Sequence, residues 1–243
     1  MDHALSFFAA HAVPILAGVC IPISGFFLWK LRDVLGLSGW KMAVAPFLYV
    51  IFGLLSIIVF SIIHDIPSFP HFTLHHQGLI FIFPLLFPLA AKWLNKDWRD
   101  VSDALTVSIP GIIAVLRVFC LLNGCCYGKY FPGTETNIPL RETVMAVNLL
   151  VCFLLMFWIR HKHPRGIMLP AYMIFYGLFR LLEVSLRFNP DWSNNSGDRL
   201  FAVLSLLIGL FLAVWVLELG EADRNMKSEP YKKKKHKKVV RRK

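Results

Sequence analysis

Three stretches of this chain hold residue types that could do chemistry inside otherwise apolar sequence. Residues 117–128 read R-V-F-C-L-L-N-G-C-C-Y-G, an arginine in the tail of an apolar helix followed by a turn-rich exit. Residues 176–187 read Y-G-L-F-R-L-L-E-V-S-L-R and carry Arg180, Glu183 and Arg187. Residues 71–80 read H-F-T-L-H-H-Q-G-L-I and carry His71, His75 and His76 at a helix start. A charge inside an apolar helix is costly, so it ordinarily has a partner or a function. Guanidinium presents a planar fork of donors that fits a phosphate and stays charged at any relevant pH. Two arginines on different helices therefore make a plausible phosphate clamp. Histidine can take a proton near neutral pH.

Each feature also has a plainer explanation. Arg180 and Glu183 stand three apart and can pair along one helix, and an arginine near a membrane surface can extend to the interface. His71 and His75 have a spacing compatible with metal binding, but no second cluster completes an obvious zinc set beyond His64 and Asp65. Cys125 and Cys126 are adjacent and lack C-x-x-C spacing, which makes a thiol role the minor alternative. Asn123, Gly124 and Gly128 suit a tight turn, with or without a ligand beside it.

The elements that must position these residues follow from composition. Of 243 residues, 56% are hydrophobic and 17% charged, and the mean hydropathy is +0.58. Soluble domains carry about a quarter charged residues, so the chain reads as an all-α, polytopic membrane protein. Apolar runs near 6–28, 42–63, 78–94, 105–122, 143–159, 167–186 and 200–218 predict about seven transmembrane helices. Eleven of the 26 Lys and Arg lie beyond Gly220. The body is thus close to neutral, which argues against a nucleic-acid partner. Residues 1–220 form the expected bundle, and 221–243 form a basic, disordered tail that would face anionic cytoplasmic lipid. The five cysteines do not suggest a disulfide framework. Lys30, Arg32, Lys41, Lys92, Lys96, Arg99, Arg160, Lys162 and Arg165 fall in loops on one side. By the positive-inside rule that side is cytoplasmic, the N-terminus is outside and the C-terminus is inside. The same topology puts Arg117, Arg180, Glu183, Arg187 and the histidine loop near the outer leaflet. Charges segregated in this way predict one outward-facing site.

The three stretches together resemble the prolipoprotein diacylglyceryl transferase family. R-V-F-C-L-L-N-G-C-C-Y-G-K is similar to the family's signature segment, H-Q-G-L-I at 76–80 to its H-G-G-L-I, and 176–187 to its Y-G-x-x-R-F-x-x-E-x-x-R. The likeness covers roughly 70–190, in the family's order. Two departures stand out. Glu183 comes one residue early, with Val184 in the matching position, and P-L-R-E-T-V at 139–144 replaces P-x-Q-L-Y-E.

The resemblance implies an enzyme of the bacterial plasma membrane. It would move the diacylglyceryl group of phosphatidylglycerol onto a cysteine thiol of a lipobox-containing precursor protein, in lipoprotein biosynthesis. Glycerol phosphate would leave, and neither cofactor nor metal is implied. By motif, His76, Arg117 and Arg180 are the catalytic candidates. Asn123, Gly128, Cys120, Gly78, Glu183, Arg187 and Tyr176 are the substrate-binding candidates. The alternatives are a catalytically silent lipid-binding paralogue and, behind it, a membrane thiol or metal protein.

Overall fold

The computed structural model describes residues 18–65, 75–122, 128–130, 137–161, 163–187 and 195–240. Their helices are α1 (Gly18–Lys30), α2 (Arg32–Leu35), α3 (Trp40–Asp65), α4 (Gly78–Phe81), α5 (Phe87–Leu94), α6 (Trp98–Leu122), α7 (Leu140–Trp158), α8 (Met168–Leu186) and α9 (Asn195–Val240). Pairing among the described residues outside helices is confined to two isolated bridges, Gly128 with Arg187 and Tyr130 with Asn137.

Five of these helices contain stretches long and apolar enough to cross a bilayer: Trp40–His64, Trp98–Val118, Leu140–Trp158, Met168–Leu186 and Gly197–Gly220. The sequence predicts seven. Most of the first expected span lies outside the described residues, and its described part, Gly18–Lys30, is short. The third, Gly78–Leu94, is not one helix. It is divided into α4, a 3₁₀ turn at Phe83–Leu86, and α5. Pro84 and Pro88 open the second and third pieces. Proline lacks the N–H that would continue the ladder, so it starts a new helical segment more readily than it extends one.

α6 is the axis of the bundle. Of its Trp98–Val118 stretch 83% is buried, against 22% of Gly197–Gly220 on α9. It begins at Trp98, seven residues before the predicted start, because Asp97 caps it. Asp97 Oδ1 accepts the Arg99 backbone N–H at 2.9 Å, which satisfies a donor left open at the first turn. The Arg99 side chain holds the Asp97 carboxyl below the usual carboxylate range, chiefly through its hydrogen bond.

The apolar side chains outside this core face outward. Phe47, Ile51 and Leu55 on α3, Phe153 and Phe157 on α7, and Leu207, Phe211 and Val214 on α9 are all exposed. Exposed apolar area on this scale suits hydrocarbon and not water. α8 packs closely along α9. Gly177 permits the approach, since a methyl group there would sit 2.6 Å from the Ala202 carbonyl oxygen. α9 continues as helix to Val240, whereas the sequence predicts no element beyond about 220. The alanine, glutamate and lysine residues beyond 217 favour helix, although Gly220 and Pro230 stand among them.

Candidate functional site

Three arginines from two helices converge on one carboxylate. Glu183 Oε1 on α8 lies 2.7 Å from Arg117 on α6, 2.7 Å from Arg180 and 3.0 Å from Arg187. Arg117, Arg180 and Glu183 are each buried to 4% exposure or less. A second carboxylate, Asp198 at the start of α9, completes the group. Its oxygens lie 2.9 Å from Arg180 and 3.2 Å from Arg187, and it accepts a hydrogen bond from Gln77 Nε2 at 2.7 Å. Unpaired guanidinium here would carry a desolvation penalty of several kcal/mol per ion, so the pairing is what allows three arginines to be buried together.

The pairing does not exhaust the donors. Among the described residues three guanidinium groups meet two carboxylates. Among the described residues, the buried Nε–H groups of Arg180 and Arg187 find no hydrogen-bond acceptor, and Gln77 Oε1 is likewise an unpartnered acceptor. Buried polar groups are ordinarily satisfied. An excess of positive charge with unpartnered N–H donors is the signature of a site built for an anion.

His76 stands at the edge of this group. Its Nε2 is 3.2 Å from the Tyr176 hydroxyl on α8, and the histidine tautomer decides which of the two donates. Burial first, and then the charges of Arg117 and Arg180, hold His76 well below the ordinary imidazole range. It is therefore neutral near pH 7 and able to accept a proton.

The two glycines act through backbone packing. A methyl group at Gly78 would overlap the Ser56 carbonyl oxygen on α3, so glycine lets α4 begin against α3 and fixes His76 and Gln77 just before it. At Gly128 a methyl group would overlap the Ile138 carbonyl oxygen. Gly128 bridges to Arg187, and Lys129 N donates to Leu186 O at 2.9 Å. The exit of α6 is thereby tied to the end of α8, where Arg187 leaves the helix. Cys120 offers its carbonyl to Arg141 Nη1 at 3.5 Å. Asn123, Cys125, Cys126 and His71 lie outside the described residues.

Sequence reasoning passed over Asp198 and Gln77. The missing signal was charge balance: three arginines with one acid demand a second carboxylate. Asp198 is the acidic residue in the first turn of α9. The early position of Glu183 does not remove it from the site, because all three arginines reach it.

A sequence model of the prolipoprotein diacylglyceryl transferase family matches residues 44–217. The chain belongs to that family. Relatives named phosphatidylglycerol–prolipoprotein diacylglyceryl transferase come from several bacteria. One from Clostridium tetani is 28% identical over 49% of this chain and 55% of its own length. One from Dehalococcoides mccartyi strain 195 is 24% identical over 88% and 92%. One from Aeromonas hydrophila is 30% identical over 58% and 57%. The span of the family match takes in the arginines, both carboxylates and His76.

Proposed function

We propose that this chain transfers a diacylglyceryl group from phosphatidylglycerol to the cysteine thiol of a lipoprotein precursor, at a site facing the outer leaflet of a bacterial plasma membrane. The observation that carries the proposal is the pair of buried, unpartnered Nε–H groups on Arg180 and Arg187 within a cluster of net positive charge. A lipid phosphate supplies the acceptors they lack.

In the proposed reaction the thiol proton passes to neutral His76, with Tyr176 holding the ring. Thiolate is the competent nucleophile, and a cysteine with an ordinary pKa of about 8.5 needs a base to form it near pH 7. The sulfur attacks the glyceryl carbon that bears the phosphate. A C–S bond forms and the C–O bond breaks. The electron pair stays on the phosphate oxygen of the departing glycerol phosphate. Arg117, Arg180 and Arg187 stabilise the charge that develops there, which is where preorganised donors contribute most. Glu183 and Asp198 orient the guanidinium groups, and Gln77 offers an acceptor to a glycerol hydroxyl. Cys120 is proposed to line the same site from the last turn of α6, and Asn123, by its motif alone, to be a substrate-binding residue. The basic segment beyond about 221 stands outside the reaction, toward the cytoplasmic leaflet.

The test uses purified protein, labelled phosphatidylglycerol and a lipobox peptide. A thioether product that disappears in Arg117→Ala supports the proposal. Tight binding of the lipid with no product from the intact chain would leave only the silent lipid-binding paralogue.

A further inference from the structure

At the opposite end of the bundle from the arginine cluster lies a cavity of about 280 Å³. Leu35, Tyr49, Phe52, Leu86, Ala90 and Trp93 are among its walls. α3 and the Gly78–Leu94 segment both run between the two sites: Ser56 and Gly78 belong to the arginine end, Tyr49 and Trp93 to the cavity. Among the described residues, no carboxylate or other charged side chain lines the cavity. Its one hydroxyl is engaged elsewhere, since Tyr49 donates to the Leu105 carbonyl at 3.3 Å and accepts from Ser108 at 2.6 Å. The rim reaches the lipid-facing surface at Leu89, which is 58% exposed.

The charge lies outside the apolar wall, at one end. Lys41 Nζ donates to the Trp93 carbonyl at 3.2 Å and sits 5.6 Å from the Trp93 ring centroid. The Lys96 stem lies against Gly36, where an added methyl group would meet Lys96 Cε at 2.6 Å. Gly36 separates Leu35 from Leu37, and both line the cavity. Two ammonium groups thus flank the end of an apolar slot that opens sideways onto hydrocarbon. By the distribution of basic loops this end faces the cytoplasm.

We propose that the slot holds one acyl tail of an anionic phospholipid of the cytoplasmic leaflet, with Lys41 and Lys96 on its phosphate. A methylene occupies about the volume of a water molecule, ~30 Å³, so the cavity takes on the order of nine tail carbons. A tail is the one occupant that enters from the bilayer without uncovering a polar group, and the lysines select the headgroup. This second lipid site does not take part in the transfer reaction.

The full chain is reconstituted in phosphatidylcholine vesicles containing a trace of phospholipid with a photoreactive group at the end of one tail. Matched probes carry a glycerol or a choline headgroup, and labelled peptides are mapped. Labelling of Phe52, Leu86 and Ala90 by the anionic probe should exceed that by the choline probe roughly thirtyfold, the order expected of two surface cations. Lys41→Gln with Lys96→Gln should erase that preference, and Ala90→Trp should abolish labelling by either probe. Equal labelling by both headgroups, or labelling spread evenly over the lipid-facing helices, overturns the proposal. So does labelling blocked only when two copies of the chain associate, which would make the slot a protein interface. Should Ala90→Trp fail to insert, the lysine pair decides, because Lys96 is exposed and Lys41 is only half-buried. The readout is position and not turnover, so it stands whether or not the chain makes a thioether.

Discussion

α6 carries an acid–base cluster at each end, and the two are built on opposite plans. Near its start, Asp103 accepts the backbone N–H of Gly166 at 2.7 Å and of Met168 at 2.8 Å, with His163 Nε2 3.4 Å away. The carboxylate thereby closes the N-terminus of α8 from another helix, and both of its oxygens are in use. Near the end of α6, Arg117 enters a group in which, among the described residues, guanidinium outnumbers carboxylate, and the buried Nε–H donors of Arg180 and Arg187 remain over. In the first cluster both carboxylate oxygens are engaged by backbone donors. The second is held short of completion by its own composition. The lesson is that burial and ion pairing alone do not mark a site. The arithmetic of donors against acceptors does.

Three substitutions and one deletion can break this contrast or sharpen it. The largest effect is expected from Arg180→Lys. One ammonium cannot bridge Glu183 and Asp198 as the guanidinium fork does, so thioether formation should fall by about 10²–10³-fold. Near-normal turnover would show that the fork is not needed. Next, His76→Gln should lower kcat/KM by about 10²-fold, the lower range of general-base effects. In the intact chain the acid limb of kcat/KM should fall below pH ~6.5, the ordinary imidazole value, because burial and the arginines hold His76 down. The sign for stability agrees: below that pH the unfolded chain takes up the proton first, so acid weakens the fold. A limb at or above 6.5 would remove His76 as the base.

Asp103→Asn should do the reverse of Arg180→Lys. It sets an amide N–H₂ against a backbone donor and should cost about 1–3 kcal/mol of stability, read by thermal unfolding in detergent. Turnover of the folded fraction should be unchanged. A large loss of turnover at full stability would mean that this end of α6 also serves the reaction. The smallest effect is expected from deleting 227–243, which should leave transfer intact in normally inserted protein. A large loss there would tie the basic segment to the site.

Much of this was legible in the sequence. Hydropathy runs depend on local composition, and so the five long spans could be read directly. The intramembrane charges stood out because each is expensive alone, and the three motifs that carry them are continuous in sequence. Gly78–Leu94 reads as one apolar run although its prolines divide it, since hydropathy does not register a missing N–H. The start of α6 was hidden because polar residues 98–103 look like loop until Gly166 and Met168 are seen donating to Asp103.

The sequence by itself determined which residues had to find partners: Arg117, Arg180, Arg187, Glu183 and the histidine before α4. Only the tertiary structure decided who those partners are. Asp198 lies 15 residues from Glu183 along the chain, and Gln77 lies 121 from Asp198. Pairing energy depends on distance in space, which no local pattern encodes. The same holds for the apolar slot beside Lys41 and Lys96, a space bounded by side chains drawn from Leu28 to Leu105.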